Sequence, residues 1–124
     1  MRTVLGVALA GAMGALARFG LGSVISERYA GVFPLGTFVI NVSGSFLLGF
    51  LFVLLAERIG LSPAWRTSVT VGFLGAYTTF STFTLETFRL VEDGALGAAA
   101  LNAFGSLLVG LVAVWLGVSL ARAV

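Results

Sequence analysis

Cysteine and histidine are both absent from the 124 residues. The first absence excludes a disulfide scaffold, and the two together remove the preferred ligands of the usual zinc sites. Charge is also scarce. Charged residues make up 10% of the chain, where a typical soluble domain carries about 25%. Seven arginines and five acidic residues cannot clothe a water-soluble globule whose hydrophobic fraction is 59% and whose mean hydropathy is +1.11. The sequence pI of about 9.9 points at first to nucleic acid. The net charge is only +2, however, and no two basic residues are adjacent, so no basic patch exists to neutralise phosphates. The length is too small for two ordinary soluble domains. An integral membrane protein remains.

About 20 apolar residues cross the hydrocarbon of a bilayer as a helix. The sequence predicts four such spans, about 3–24, 35–55, 67–88 and 95–116, in one all-α domain covering 1–124. Pro34 and Pro63 are expected in connections, where a missing amide proton costs nothing. Glu27 and Arg28 mark the first turn, Glu57, Arg58 and Arg66 the second, and Arg89, Glu92, Asp93 and Gly94 the third. The N-terminus, with Arg2, an apolar run and Ala15-Leu16-Ala17, also resembles a signal peptide. Cleavage would leave three spans and destroy a patterned helix, so the segment is read as retained. Arg2, Arg58, Arg66 and Arg122 fall on the side of the N-terminus. Arg28 and Arg89 fall opposite, with Arg18 nearby. This bias places both termini in the cytoplasm but is weak. A chain inserting both ways could instead pair as an antiparallel homodimer of inverted repeats.

Helices in lipid associate by close packing of small residues. Gly6, Ala10, Gly14, Arg18 and Gly22 are spaced four apart on the first span. Thr37, Asn41, Ser45 and Gly49 repeat the pattern on the second, and Ala98, Asn102, Ser106 and Gly110 on the fourth. Most of these positions read as packing glue. Arg18 is different, because a guanidinium costs about 2.5–3.5 kcal/mol at mid-membrane and must snorkel, pair or face water. The Asn41 carboxamide needs partners in a dry interior. Asn102 serves equally as an interfacial cap or a functional group. Asn41-Val42-Ser43 matches a glycosylation sequon, which its apolar setting excludes. The third span carries Gly75-Ala76-Tyr77-Thr78-Thr79-Phe80-Ser81-Thr82-Phe83-Thr84. Hydroxyls at this density can bond backbone carbonyls and open a helix. Open backbone at this depth must be buried in protein or face a cavity. The carbonyls it frees are hard ligands suited to an alkali cation.

No nucleophile–base pair is present, and no glycine-rich loop leads into a lysine. The chain is not an enzyme on this reading. Proton-coupled transport generally needs an ionisable relay inside the membrane, and the first, second and fourth spans contain no Asp or Glu in their interiors. A passive pathway fits better. The polar groups within the spans favour anions: Arg18 is cationic, Asn41 and the hydroxyls donate hydrogen bonds, and a Phe ring edge carries positive potential.

Three segments carry a resemblance. They are Gly11-Ala12-Met13-Gly14-Ala15-Leu16-Ala17-Arg18-Phe19, Pro34 through Phe46 with its Gly36-Thr37 and Asn41-Val42-Ser43-Gly44-Ser45, and Gly72 through Phe83. The chain resembles the small bacterial fluoride channels of the Fluc (CrcB) type over essentially its whole length. The third segment is highly specific and the first alone would be weak. The resemblance implies a dual-topology antiparallel dimer with two pores, the third helix broken near its middle, in a bacterial or archaeal inner (cell) membrane. It implies a fluoride pathway formed by Asn41, Phe80, Phe83, Ser81, Thr82 and Ser106, with Glu86 near one end and Arg18 in an aqueous vestibule. It further implies a structural sodium ion at the dimer interface, held by the backbone carbonyls of Gly75 and Thr78. Position 10 is Ala where a paired Gly is common, and Gly110 lacks the hydroxyl of a further ligand. A small multidrug-type antiporter shares the size and helix count, but would need a carboxylate embedded in the first span, and none is there. A non-transporting accessory subunit, whose stripes only pack helices, is the remaining alternative.

Overall fold

The computed structural model describes residues 1–124. The protein is all-helical, with short connections. Helix α1 spans Arg2–Arg28 and α2 spans Leu35–Arg58. Helix α3 covers residues 63–77, α4 spans Phe80–Glu92, and α5 spans Leu96–Ala123. Helices α1, α2 and α5 are each long and apolar enough to cross a membrane. The remaining hydrophobic stretch is divided between α3 and α4.

The helices run past their apolar stretches, and this corrects several expected turns. Pro63 is the first residue of α3 rather than part of a loop. Its missing amide is one of the orphan donors of a first turn in any case. Glu27, Arg28, Glu57, Arg58, Arg66, Arg89 and Glu92 are likewise helical, because a backbone leaving hydrocarbon keeps its internal hydrogen bonds while its charged side chains reach water. The third turn shrinks to Asp93–Ala95. It closes through Gly94 amide to Val91 carbonyl at 3.0 Å and Ala95 amide to Leu90 carbonyl at 2.8 Å. That pair of bonds requires the left-handed residue after the helix, and Gly94 supplies it with φ +73°.

Two seams of small residues hold the bundle. On the first, α1 lies against α3. Gly14 meets the backbone of Phe73, and a methyl on Gly72 would fall 2.9 Å from the Val7 carbonyl oxygen. On the second, α2 lies against α5. There a methyl on Gly49 would fall 2.5 Å from the Val114 carbonyl oxygen, and Gly117 meets Phe46 and Phe50 in the same way. A methyl on Gly110 would fall 3.7 Å from the Ser45 hydroxyl, an ordinary contact. The stripes read from the sequence are therefore mainly contact lines between backbones. Three stretches, Leu54–Arg58, Ser68–Leu74 and Leu101–Gly105, wind with wide π turns, and the Ile59 amide reaches back to the Leu54 carbonyl at 2.9 Å. Such turns are rare and concentrate where side chains must be re-aimed.

Only 18 of 124 residues are buried. In water this would leave an untenable apolar surface. In a bilayer the outward Leu, Val and Phe side chains have lipid or another chain to meet. A small core of Ile40, Leu74 and Tyr77, backed by Ala17, Leu21, Leu47, Leu51 and Phe73, sits where α2 crosses the end of α3. It fixes the place at which the chain departs from helix.

Candidate functional site

Helix α3 ends at Tyr77. Thr78 (φ −81°, ψ 159°) and Thr79 (φ −150°, ψ 115°) are extended, and α4 begins at Phe80. Side chains on both sides hold this conformation. The Thr79 amide donates to Asn41 Oδ1 at 2.8 Å, and Asn41 Nδ2 donates back to the Thr79 carbonyl at 3.0 Å. The Asn41 carboxamide thus stands in for a neighbouring strand. The Thr79 hydroxyl caps α4 by accepting the Thr82 amide at 3.2 Å, and it donates to the Thr82 hydroxyl at 3.0 Å. A cap of this kind contributes about 1 kcal/mol. Below the interruption, the hydroxyls of Tyr77 and Ser43 are 2.8 Å apart. Gly44 leaves room for the Tyr77 ring, which a methyl there would approach to 3.2 Å.

Two clefts open on either side of Thr79, and Thr79 lines both. One, of about 420 Å³, brings together Asn41, Ser45, Thr78, Phe80, Phe83 and Ser106. The Phe80 and Phe83 ring centroids lie 5.9 Å apart with planes tilted by 42°, so both rings reach one wall. Asn41 has spent its oxygen and one N–H on Thr79 and keeps one N–H to donate. The other cleft, of about 640 Å³, holds Arg18, Thr37, Thr82 and Glu86 among its walls. There Thr37 Oγ1 donates to Glu86 Oε1 at 2.9 Å, and Glu86 Oε2 is buried without a partner. Glu86 lies in the middle of α4 rather than in a last turn, because α4 continues to Glu92.

The expected pathway residues are thereby divided. Asn41, Phe80, Phe83 and Ser106 share the aromatic cleft. Thr82 lines the cleft of Arg18, and Ser81 is exposed and lines neither. Gly75 is exposed beside the interruption.

A profile of the CrcB-like, camphor resistance (CrcB) proteins matches residues 5–118. The chain belongs to the CrcB family. Relatives include a protein of Acidobacterium capsulatum, 53% identical over 111 residues, covering 90% of this chain and 89% of its own. One of Solibacter usitatus is 47% identical over 116 residues, covering 94% and 95%. One of Nitratidesulfovibrio vulgaris is 46% identical over all of both chains. Each is named a fluoride-specific ion channel FluC.

In this CrcB chain the sequence reading passed over Thr79 as a site residue, although it joins both clefts. Its signal was present as a Thr immediately before a helix, with a hydroxyl at Thr82 three residues on. Asn102, which the sequence allows as either an interfacial cap or a functional group, is completely buried. Its Nδ2 donates to Thr87 Oγ1 at 2.8 Å, its Oδ1 accepts from Ser106 at 3.2 Å, and Thr87 donates to the Phe83 carbonyl at 2.8 Å. This chain of bonds ties Ser106 on α5 to the backbone of Phe83 on α4. Neither the Asn102 link nor the pairing of Thr37 with Glu86 could be read from spacing, since each depends on how two helices dock, the first across the α4–α5 turn and the second between residues 49 apart in sequence.

Proposed function

We propose that this chain is a fluoride channel that lets cytoplasmic fluoride leave passively. The observation that carries the reading is the aromatic cleft, where two Phe rings, a carboxamide N–H and a hydroxyl converge. Fluoride is small and strongly hydrated, so a pathway must replace its water with donors. Phe edges carry positive potential, and each contact is weak. Several converging weak contacts allow the ion to bind and still leave. Arg18 supplies fixed positive charge in the neighbouring cleft, and Thr79 is the wall the two clefts share. The energetics need no coupling. Hydrogen fluoride crosses bilayers as a neutral acid and dissociates in a less acidic cytoplasm. The membrane potential then expels the anion with about 2.3 kcal/mol per 100 mV.

Two copies pair antiparallel on this reading, each contributing to two pores, with the interruption between α3 and α4 at mid-membrane. The near-balanced arginines support insertion both ways. The outward apolar surface and the 77% exposure of Phe80 support a second copy as the cover of that ring. The Gly75 and Thr78 carbonyls would hold a structural sodium ion at this interface. They fit it as hard, neutral oxygens at the place where the helical ladder stops. The location follows as the cell membrane.

The decisive experiment uses liposomes containing only this protein. They are loaded with potassium fluoride and opened to potassium by valinomycin, and a fluoride electrode follows release. Rapid efflux is expected, with chloride retained in a parallel assay. Well-folded protein that releases no fluoride would reject the channel and leave the accessory-subunit alternative. For topology, cysteines introduced singly near each end of α1 are expected to cross-link in pairs that join opposite ends. Exclusively same-end pairs would end the antiparallel arrangement.

A further inference from the structure

Two carbonyls at the interruption have lost the amides that a continuous helix would bring them. With i to i−4 bonding, the Thr79 amide would serve the Gly75 carbonyl and the Thr82 amide the Thr78 carbonyl. Here Asn41 Oδ1 takes the Thr79 amide at 2.8 Å, and Thr79 Oγ1 takes the Thr82 amide at 3.2 Å. Each capture has a second bond behind it. Asn41 Nδ2 returns to the Thr79 carbonyl at 3.0 Å, and Thr79 Oγ1 donates to Thr82 Oγ1 at 3.0 Å. The two diverted amides belong to the two carbonyls that the sodium reading requires.

We infer that Asn41 and Thr79 are positioning residues of the cation site, holding the backbone so that the Gly75 and Thr78 carbonyls face outward without donors. The inference rests on the sodium reading above. Neither side chain touches the cation in this arrangement. A carbonyl that still accepts its helical amide keeps that oxygen along the helix axis and shares its electron density with the donor. A carbonyl without one can turn aside and offer all of it to a hard cation. Without the Thr79 hydroxyl, the Thr82 amide would have the Thr78 carbonyl as its nearest acceptor. Without the Asn41 oxygen, the Thr79 amide would return to Gly75. Either change closes one oxygen of the pair. Asn41 thereby serves two sites: its bonds to Thr79 hold the cation site, and the residue also lines the aromatic cleft.

The test reads cation affinity rather than transport. Purified full-length protein in sodium-free detergent is titrated with sodium chloride against choline chloride at constant ionic strength, and its thermal midpoint is followed. The wild type is expected to be stabilised by sodium with a saturating dependence. Thr79→Val is expected to raise the half-saturating sodium concentration at least tenfold, and Thr79→Ser, which keeps the capping oxygen, to stay within twofold of wild type. Asn41→Leu keeps a similar shape but removes the oxygen that takes the Thr79 amide, and is expected to raise it at least threefold. It carries the test should Thr79→Val fail to fold. Phe83→Ile, on the pathway but outside the amide captures, is expected to leave the sodium midpoint unchanged. Wild-type sodium affinity in Thr79→Val, or in Asn41→Leu where only that variant folds, would overturn the inference. A wild type indifferent to sodium would instead remove the sodium reading beneath it, whatever the efflux assay gives.

Discussion

Liposomes carrying Phe83→Ile are expected to release fluoride between about twofold and tenfold more slowly than wild type, while the purified variant keeps its elution volume and thermal midpoint. Isoleucine retains most of the bulk and all of the apolarity of the ring, so the packing of α4 survives. What it loses is the positive rim. The same quadrupole gives an aromatic pair about 0.5–1.5 kcal/mol beyond its area; an edge contact of that size sets the scale, since about 1.4 kcal/mol is tenfold in a rate. Phe80→Ile is expected to act in the same direction, because the two rings sit 5.9 Å apart on one wall. The elution volume separates the readings. A ring that merely packs would affect assembly before it affected flux. Normal efflux in both variants would return the pair to packing and leave the fluoride path without its wall.

Gly117→Val is expected to abolish folded protein rather than slow it. Helices α2 and α5 touch backbone to backbone at this point. A methyl on Gly117 would overlap the Phe46 carbonyl and stand 2.8 Å from the Phe50 amide nitrogen. Backbone cannot swing aside as a side chain can, so the seam must part along several turns. Overpacking costs about 1–3 kcal/mol where neighbours can shift, and here they cannot. The expected result is membrane-inserted chain that aggregates on extraction, read by fluorescence size-exclusion chromatography. Gly97→Val is the control, since a methyl there meets nothing within 4 Å, and it should extract as wild type. A monodisperse Gly117→Val peak would show that the seam is looser than described.

Much of the architecture was legible in the sequence because hydrocarbon imposes a length on apolar runs. The stripes were legible because backbone approach demands Gly, Ala or Ser at every fourth position, as at Gly14 and Gly49. Arg18 and Asn41 stood out as residues without a comfortable bilayer reading, whereas Phe80 and Phe83 have one and were marked only by the hydroxyls around them. Helix ends were less legible: Pro63, Glu57 and Arg89 look like loop residues, yet the backbone outlasts the hydrocarbon. Pairings across the bundle were not legible at all. Nothing in the spacing says that Thr37 meets Glu86, that Asn102 meets Thr87, or that the Asn41 carboxamide bonds the backbone of Thr79. Those are facts of docking, and they decide which polar groups remain free to face an ion.

The hydrogen bonds from Asn41 to Thr79 also bear on biogenesis. A nascent segment covering 63–92 enters the bilayer before its neighbours have all assembled around it. Alone in lipid, its Thr79 amide has the Gly75 carbonyl as its nearest acceptor, and an unsatisfied amide is costly there. For that segment alone an unbroken helix satisfies every backbone amide, whereas the extended Thr78–Thr79 conformation has its Thr79 amide satisfied by Asn41 of α2. The interruption is thus a property of the assembled bundle, because the partner that holds its backbone belongs to α2.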